Sequence, residues 1–206
     1  MVDPSQYFRM EYDNKERFMS YWHQIDEVMT IGLGPALEIG IGNGFVANYL
    51  KGRGIDITTM DIDEQLRPDK VGSVLSIPFP DAAFKVVTCF EVLEHLPYED
   101  FSKALTEIYR VAEEYVILSL PDSTQVQRVE IWIPKLGVFK RLIRLPWAKP
   151  LKHIYDGEHH WEIGKDGYLL SRIISDIKRV GFEIEKTFRV FENPYHRFFK
   201  MKKAGE

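Results

Sequence analysis

The 206-residue sequence has almost no cysteine, because Cys89 is the only one. A single cysteine cannot form an internal disulfide, and structural zinc sites normally need several cysteine or histidine ligands. Iron–sulfur clusters need a group of cysteine thiolates. The sequence therefore excludes a disulfide framework and iron–sulfur radical chemistry.

The sequence also lacks a long apolar run and an excess of positive charge. No stretch is long enough to cross a bilayer, and the N-terminal residues MVDPSQYFRM contain no apolar signal core. We therefore expect a cytoplasmic protein without a transmembrane segment. The formal net charge is -4, which provides no basic field for nucleic acid. We expect no nucleic-acid partner.

Strand-like and helix-like segments alternate along the chain. Short apolar runs predict strands at 36–41, 55–60, 72–77, 84–90 and 115–120. Helical spacing predicts helices at 13–29, 45–51, 99–112 and 166–180. A hairpin is predicted at 182–191 and 196–202. This order predicts an α/β doubly wound fold, with a mostly parallel seven-stranded sheet that ends in an antiparallel hairpin and carries helices on both faces.

The predicted N-terminal helix is amphipathic. Its apolar residues share helical spacing and are expected to be buried: Phe18, Trp22, Ile25 and Met29. Asp13 and Glu16 have the spacing of an N-terminal cap. The aromatic residues Tyr7, Phe8 and Tyr12 precede this helix and can either fold over a bound ligand or pack on the outer helices.

A glycine-rich turn follows the first predicted strand, in the run EIGIGNG at Glu38–Gly44. Glycine permits a sharp turn and lets a ligand approach the backbone, because no Cβ is in the way. Asp61 ends the next strand and is placed to accept hydrogen bonds from ribose hydroxyls. Strand, turn, helix, strand and terminal acid together indicate nucleotide or nucleoside binding.

These residues resemble the first motif of class I, Rossmann-like S-adenosylmethionine-dependent methyltransferases. The spacing differs from the dinucleotide motif G-x-G-x-x-G, which would place glycine where Phe45 stands. The run SVLSIPFPDAAFKVVTCFEVLEHLP is similar to the family's third and fourth strands, and residues 161–190 resemble its C-terminal helix and strand more loosely. The resemblance implies S-adenosylmethionine as cofactor and methyl transfer to a small-molecule acceptor, with the methylated atom (O, N or C) open.

The resemblance also implies a division of one domain, 1–206, into four parts: an N-terminal helical cap (1–31), a cofactor-binding half (32–122), a variable substrate lid (123–160) and a C-terminal helix and hairpin (161–206). It implies that the methionine part of the cofactor is surrounded by Glu38, Gly40, Gly42 and Gly44. It implies contacts to the ribose and adenine by Asp61, Ile62, Ser73, Val74 and Leu75. It implies a lining of the reactive end by Cys89, Phe90 and Glu91.

Three histidines are candidates for the catalytic base that a protonated acceptor needs, because the histidine pKa lies near neutrality. They are His160, His159 and His95. A structural hydrogen bond is an equally acceptable role for each of them. The nearby group His153, Asp156, Glu158 and Glu162 has no recognised ligand spacing, and we expect no metal site.

The segment 124–153 is positively charged, although the whole chain is negatively charged. It has seven lysines or arginines and one acid, Glu130. Apolar residues alternate with these cations, and the stretch between Pro134 and Pro146 is expected to form a short amphipathic helix. Such a segment fits an anionic or lipid-linked acceptor or an anionic membrane surface, or it is a solvated lid. Oligomeric state is not indicated.

Two other functions are open at this point. A non-catalytic S-adenosylmethionine-binding protein has the same turn, and an NAD-dependent oxidoreductase is disfavoured by Phe45 and by the run EVLEHL. A nucleic-acid base methylase is disfavoured too, because the fourth strand is not followed by an N-P-P-Y-like segment.

Overall fold

The computed structural model describes residues 4–9, 11–155 and 157–204. Its strands are β1 (Ala36–Ile39), β2 (Ile57–Asp61), β3 (Lys70–Val71), β4 (Phe84–Phe90), β5 (Ala112–Pro121), β6 (Val126–Ile133), β7 (Gly137–Arg144), β8 (Phe182–Arg189) and β9 (His196–Lys203). Its α-helices are α1 (Lys15–Ile31), α2 (Phe45–Gly52), α3 (Tyr98–Val111) and α4 (Leu170–Val180). Short 3-10 helices cover Pro4–Phe8, Glu64–Leu66 and Leu93–His95.

Seven strands form one sheet in the order β3-β2-β1-β4-β5-β9-β8. Strands β1 to β5 run parallel to one another, and β9 is antiparallel to both β5 and β8. The strand order reverses between β1 and β4, and ligands bind at such a switch point, beyond the carboxyl ends of the strands. The predicted fold class is confirmed.

The sheet has an apolar cluster on each face. One face packs against α1 and α2 through residues such as Val28 and Leu50, which are fully buried. The opposite face packs against α3 and α4, where Phe101 and Ile173 are fully buried. Strand β4 is buried along almost its whole length, as expected for a central parallel strand covered by helices on both sides.

The third predicted strand was placed wrongly. The observed strand is Lys70–Val71, and residues 72–77 form a turn instead. In this turn the amide of Ser76 donates to the Ser73 carbonyl at 3.0 Å, and the Leu75 amide donates to the Ser73 hydroxyl at 3.2 Å. Serine side chains compete in this way with sheet pairing.

The predicted buried stripe of α1 is also wrong. Phe18, Trp22 and Met29 are 44%, 54% and 41% exposed. The buried face lies about one residue further round the helix and is largely polar: Ser20, Tyr21, Gln24, Glu27 and Val28. Polar residues can be buried on this face because they have polar partners. Glu27, for example, forms an ion pair with Lys186 at 2.5 Å. The N-terminal cap is Asn14, whose side chain accepts from the Arg17 amide.

The amphipathic helix predicted between Pro134 and Pro146 is absent. The segment forms the two-stranded antiparallel hairpin β6–β7, paired from Val126 with Arg144 to Ile133 with Gly137. Lys135 and Gly137 have φ of 68° and 91° and close the turn. Branched residues in β6 favour the extended conformation. Helix α4 begins four residues later than predicted, after Gly167, whose φ is 82°. No helix within the described ranges is long and apolar enough to cross a membrane.

Candidate active site

The glycine-rich turn lies between β1 and α2. Gly40, Gly42 and Gly44 have φ of 82°, 54° and 74°, in the region that favours glycine. A Cβ on Gly40 would lie 2.3 Å from Cγ2 of Val92, so the β4–α3 loop can approach the turn only because this residue is glycine. Asn43 fixes the turn to the N-terminal segment, because its side-chain amide donates to both carboxylate oxygens of Asp13 at 3.0 and 3.1 Å.

Asp61 lies at the end of β2, beside this turn. One carboxylate oxygen accepts from the Ile41 amide at 3.0 Å, and the other accepts from the Asp63 amide at 2.9 Å. Burial raises the pKa of Asp61, although these backbone hydrogen bonds partly offset that effect. The Asp61 carboxylate therefore links the ends of β1 and β2. The adjacent Ile62 is 61% exposed, so its side chain offers an apolar surface on which a flat ring can pack.

Glu38 is a buried acid without a full set of partners. Its side chain is 3% exposed, and Oε2 has no hydrogen-bond partner among the described residues. Burial raises the pKa of Glu38 to about 8 from its ordinary 4.5, and the distant Lys51 lowers it only partly. An unpaired buried carboxyl is costly, so this position favours a cationic or hydrogen-bond-donating ligand.

The loop after β3 and the end of β4 contribute the other predicted cofactor residues. Val74 is 6% exposed, between the half-buried Ser73 and Leu75. Cys89 and Phe90 are 1% and 8% exposed. Burial raises the pKa of the Cys89 thiol well above its ordinary value, so this thiol is not an activated nucleophile.

Glu91, directly after β4, has the positive φ of 52°. Its carboxylate lies 3.7 Å from Nε2 of His196, at the start of β9. Burial lowers the pKa of His196, so its imidazole is neutral at pH 7, with the nearby Glu91 partly opposing the shift. A left-handed glutamate costs free energy and is typical of functional sites.

Two of the predicted catalytic histidines meet at this edge of the sheet. The rings of His95 and His159 lie edge to face, with centroids 5.1 Å apart. His95 Nδ1 is 3.0 Å from the carbonyl oxygen of Glu158, and burial lowers the pKa of His95. His159 Nδ1 is 3.3 Å from Oε1 of Glu162.

Glu162 is the group that orients His159. It also accepts hydrogen bonds from the hydroxyls of Tyr195, at 2.6 Å, and Ser123. Burial opposes its ionisation, but the hydrogen bonds from His159, Ser123 and Tyr195 outweigh burial and lower the pKa of Glu162 to about 2. Glu162 is therefore an ionised carboxylate behind the imidazole, an arrangement that fixes the ring and raises its basicity.

His160 lies next to this cluster and has different contacts. Its backbone amide donates to the Glu94 carbonyl at 2.8 Å, and its ring packs against Tyr155 with centroids 4.7 Å apart. The backbone hydrogen bond joins the loop before α4 to the loop after β4. Asp156, in the sequence cluster considered above for a metal, lies outside the described residues.

The N-terminal segment covers the glycine-rich turn. The ring of Tyr7 lies 3.9 Å from the position that a Cβ on Gly42 would occupy. Tyr12 packs edge to face on Tyr7 with centroids 5.2 Å apart, and its hydroxyl accepts from Arg17 at 3.0 Å. A cavity of about 830 Å³ lies between this segment and the start of α2.

Sequence reasoning missed four residues of this site. No functional role was predicted for Glu94, Glu162, Tyr195 or His196. The only local signal is that Glu162 follows His159 by three residues. The other contacts join segments that lie far apart in the chain, so no spacing of residues in the sequence predicts them.

Comparison with known proteins finds a family model that matches part of the chain. Residues 37–118 match the family model described as a methyltransferase domain. Comparison with curated proteins finds no match.

Many solved structures share the fold. An S-adenosylmethionine-dependent methyltransferase from Clostridium acetobutylicum ATCC 824 has a TM-score of 0.65 at 10% identity, covering 98% of this chain and 100% of that one. One from Mesorhizobium loti has a TM-score of 0.60 at 13% identity, covering 89% and 98%. The 1,6-didemethyltoxoflavin-N1-methyltransferase of Burkholderia thailandensis, with its acceptor and S-adenosylhomocysteine bound, has a TM-score of 0.55 at 13% identity, covering 100% and 92%.

Proposed function

We propose that the chain is a class I, S-adenosylmethionine-dependent methyltransferase and that it methylates a hydroxyl group of a small-molecule acceptor. The observation that carries the proposal is the imidazole of His159, oriented by the ionised Glu162 and packed against His95 at the carboxyl end of β4. A hydroxyl acceptor must lose its proton, and this cluster can favour its loss.

The residues of the proposed cofactor-binding half (32–122) fit S-adenosylmethionine. The unpartnered Oε2 of Glu38 suits an ammonium group, as on the methionine part, beside the turn of Gly40, Gly42 and Gly44. Asp61 retains capacity to accept hydrogen bonds from ribose hydroxyls, because each carboxylate oxygen accepts a backbone hydrogen bond and has two lone pairs. The exposed Ile62 and the loop Ser73, Val74 and Leu75 are the proposed adenine contacts.

S-adenosylmethionine supplies a methyl group on a positively charged sulfur. The protein must hold the acceptor oxygen in line with that group and exclude water, which can account for much of the rate enhancement. We assign the first task to the end of β4 (Cys89, Phe90 and Glu91) and the second to the N-terminal segment around Tyr7. His95 and His159 then contact the acceptor, and His160 is a third candidate beside them.

The proposal for the acceptor class rests on the positive charge of the hairpin β6–β7. The hairpin β6–β7 leaves the sheet after β5 and carries Arg128, Lys140, Arg141 and Arg144. Lys140 reaches back to Glu192 at 2.6 Å, and Arg128 donates to the Glu192 carbonyl, so the base of the hairpin is fixed to the β8–β9 turn. We propose an acceptor with an anionic or lipid-linked part that this hairpin binds.

The test is a methyl-transfer screen of metabolite and lipid extracts with isotopically labelled S-adenosylmethionine, read by mass spectrometry. We expect a product methylated on oxygen. His159→Gln should lower kcat by about 100-fold, as loss of a general base does, with unchanged affinity for S-adenosylhomocysteine. His23→Gln, on α1, is the matched control and should retain full activity. Cofactor binding without any methylated product, or a product methylated elsewhere than on oxygen, would overturn the proposal.

A further inference from the structure

We propose that Glu94, His95 and His159 form a binding site for a divalent first-row transition metal ion. One potential ligand atom from each residue lies within 4.8 Å of the other two. Metal–ligand bonds of about 2.0–2.2 Å bring three ligands to about 3–3.5 Å from one another. Small side-chain rotations therefore suffice to close the site around an ion.

The carboxylate of Glu94 provides an independent observation. Its side chain is fully buried, and neither oxygen has a hydrogen-bond partner among the described residues. Glu91 and Glu162 place two further carboxyl groups near it. A buried acid without donors and beside other carboxylates is costly for the protein alone. A bound cation removes that cost by supplying the missing positive charge.

Both imidazoles are held as metal-binding histidines are. Nδ1 of His95 faces the Glu158 carbonyl at 3.0 Å, and because a carbonyl only accepts, Nδ1 carries the proton and Nε2 has the lone pair. Nδ1 of His159 lies 3.3 Å from Oε1 of Glu162. A carboxylate or carbonyl that accepts a hydrogen bond from the far nitrogen of a ligating histidine usually orients its ring.

The donor set selects the class of ion. Two imidazoles and one carboxylate favour zinc, iron, cobalt or related ions, whereas magnesium and calcium prefer oxygen ligands alone. Three protein ligands leave coordination positions open, as in catalytic rather than structural sites. The expectation of no metal came from residues 153–162 alone, and the sequence did not show that Glu94 and His95 lie beside His159.

The role of the ion rests on the proposed function, whereas the site itself does not. An ion at this position can bind an acceptor through its hydroxyl and a neighbouring oxygen, and coordination lowers the pKa of that hydroxyl. In the transfer the new O–C bond forms and the C–S bond breaks, with its electron pair remaining on sulfur. The hydroxyl proton passes to water. With the ion bound, His95 and His159 are ligands that position the acceptor through it, and coordination takes the place of the His159 imidazole in favouring loss of the hydroxyl proton.

The experiment titrates the chelator-treated full chain with Co²⁺, read by visible absorption, and with Zn²⁺ and Mg²⁺ by calorimetry. We expect Co²⁺ and Zn²⁺ to bind with about one equivalent and Mg²⁺ not to bind. Glu94→Gln, His95→Gln and His159→Gln should each weaken binding by at least about 100-fold. Glu162→Gln, which changes the group behind His159, should weaken it by about 10-fold. His160→Gln and His23→Gln are the matched controls and should bind as the wild type does. Circular dichroism checks that each variant folds.

Equal Co²⁺ affinity in the three ligand variants and the controls overturns the site. If binding depends on these ligands but chelation leaves methyl transfer unchanged, the site stands and its role in acceptor binding is overturned. If the ion and the cofactor both bind but no acceptor is methylated, the proposed function fails while the metal site stands. A lower rate in the chelated enzyme, restored by Zn²⁺ or Co²⁺, supports both.

Discussion

The central strand β4 and the hairpin β6–β7 use the same extended backbone in opposite ways. Almost every residue of β4 is buried between helices, whereas no residue of β6 or β7 is buried and most are exposed. Trp132 and Leu136, near the tip of the hairpin, are 68% and 70% exposed. Burial constrains the sequence of β4 to fit one core. The hairpin is free of that constraint, and its residues are available for a ligand.

The two regions differ in charge as well. The segment 124–153, which contains the hairpin, has seven lysines or arginines and one glutamate, although the whole chain has 27 basic and 31 acidic residues. The site at the end of β4 instead collects carboxylates and histidines in a buried setting, where charge interactions are strong. We propose that the sheet edge holds the cofactor and the reacting groups and that the hairpin selects the acceptor.

The largest expected effect tests the contrast in burial with two tryptophans. Trp161 is fully buried, and its indole N–H donates to the Leu96 carbonyl at 3.1 Å. Trp161→Ala should lower the free energy of unfolding by about 3–5 kcal/mol. Trp132→Ala, the matched change in the hairpin, should change it by no more than about 0.5 kcal/mol. Denaturant unfolding measures both, and similar losses in the two variants would contradict the contrast.

The second prediction concerns the buried Glu38. Its pKa is about 8 in the folded protein against an ordinary 4.5, so the folded state binds the additional proton between these values. The contribution of this proton to stability is complete below about pH 4.5 and is lost as the pH rises to about 8. Between pH 5 and pH 8 the wild type, without cofactor, should lose about 3 kcal/mol relative to Glu38→Gln.

Denaturant unfolding at several pH values is the measurement for Glu38. The exposed Glu130→Gln in β6 is the control and should run parallel to the wild type. If the free energy of unfolding changes with pH in the same way for Glu38→Gln and the wild type, Glu38 ionises normally in the folded chain and the prediction is wrong.

The third prediction compares two glycines with positive φ. Gly42→Val places a branched side chain at φ 54°, in the turn proposed to hold the cofactor. The affinity for S-adenosylhomocysteine should fall by at least about 100-fold, or about 2.7 kcal/mol. Gly137→Val strains the hairpin turn at φ 91°, has no atom within 4 Å of the new Cβ, and should leave cofactor affinity unchanged. Calorimetry measures the cofactor affinity of both variants. If Gly42→Val binds the cofactor as the wild type does, the turn does not hold the cofactor as proposed.

The smallest effect concerns the charges of the hairpin. Replacing Lys140, Arg141 and Arg144 with glutamine should raise the acceptor KM by about 5-fold at low salt and less at high salt, where charges are screened. Cofactor affinity should not change. The control replaces Lys70, Lys103 and Lys178, exposed cations outside the hairpin, with glutamine. An acceptor KM that is independent of these charges at every ionic strength would remove the hairpin from acceptor binding.

Local signals explain which predictions succeeded. The glycine-rich turn and Asp61 were found because a sharp turn needs glycine within a few residues, and an acid at a strand end keeps a fixed spacing from it. The positive φ at Gly40, Gly42 and Gly44 bears out this requirement. The stripe on α1 was predicted wrongly because periodicity marks an apolar face, whereas ion pairs and hydrogen bonds decided which face is buried.

The sequence by itself determined the alternating α/β order, the glycine-rich turn after the first strand and the acid at the end of the second, because each depends on neighbouring residues and on backbone sterics. Only the tertiary structure decided the site beyond the cofactor half. Glu94 and His95 follow β4, His159 and Glu162 precede α4, and Tyr195 precedes β9. Parallel strands bring their carboxyl ends to one edge of the sheet, so residues far apart in the chain meet there, and no local spacing encodes that meeting.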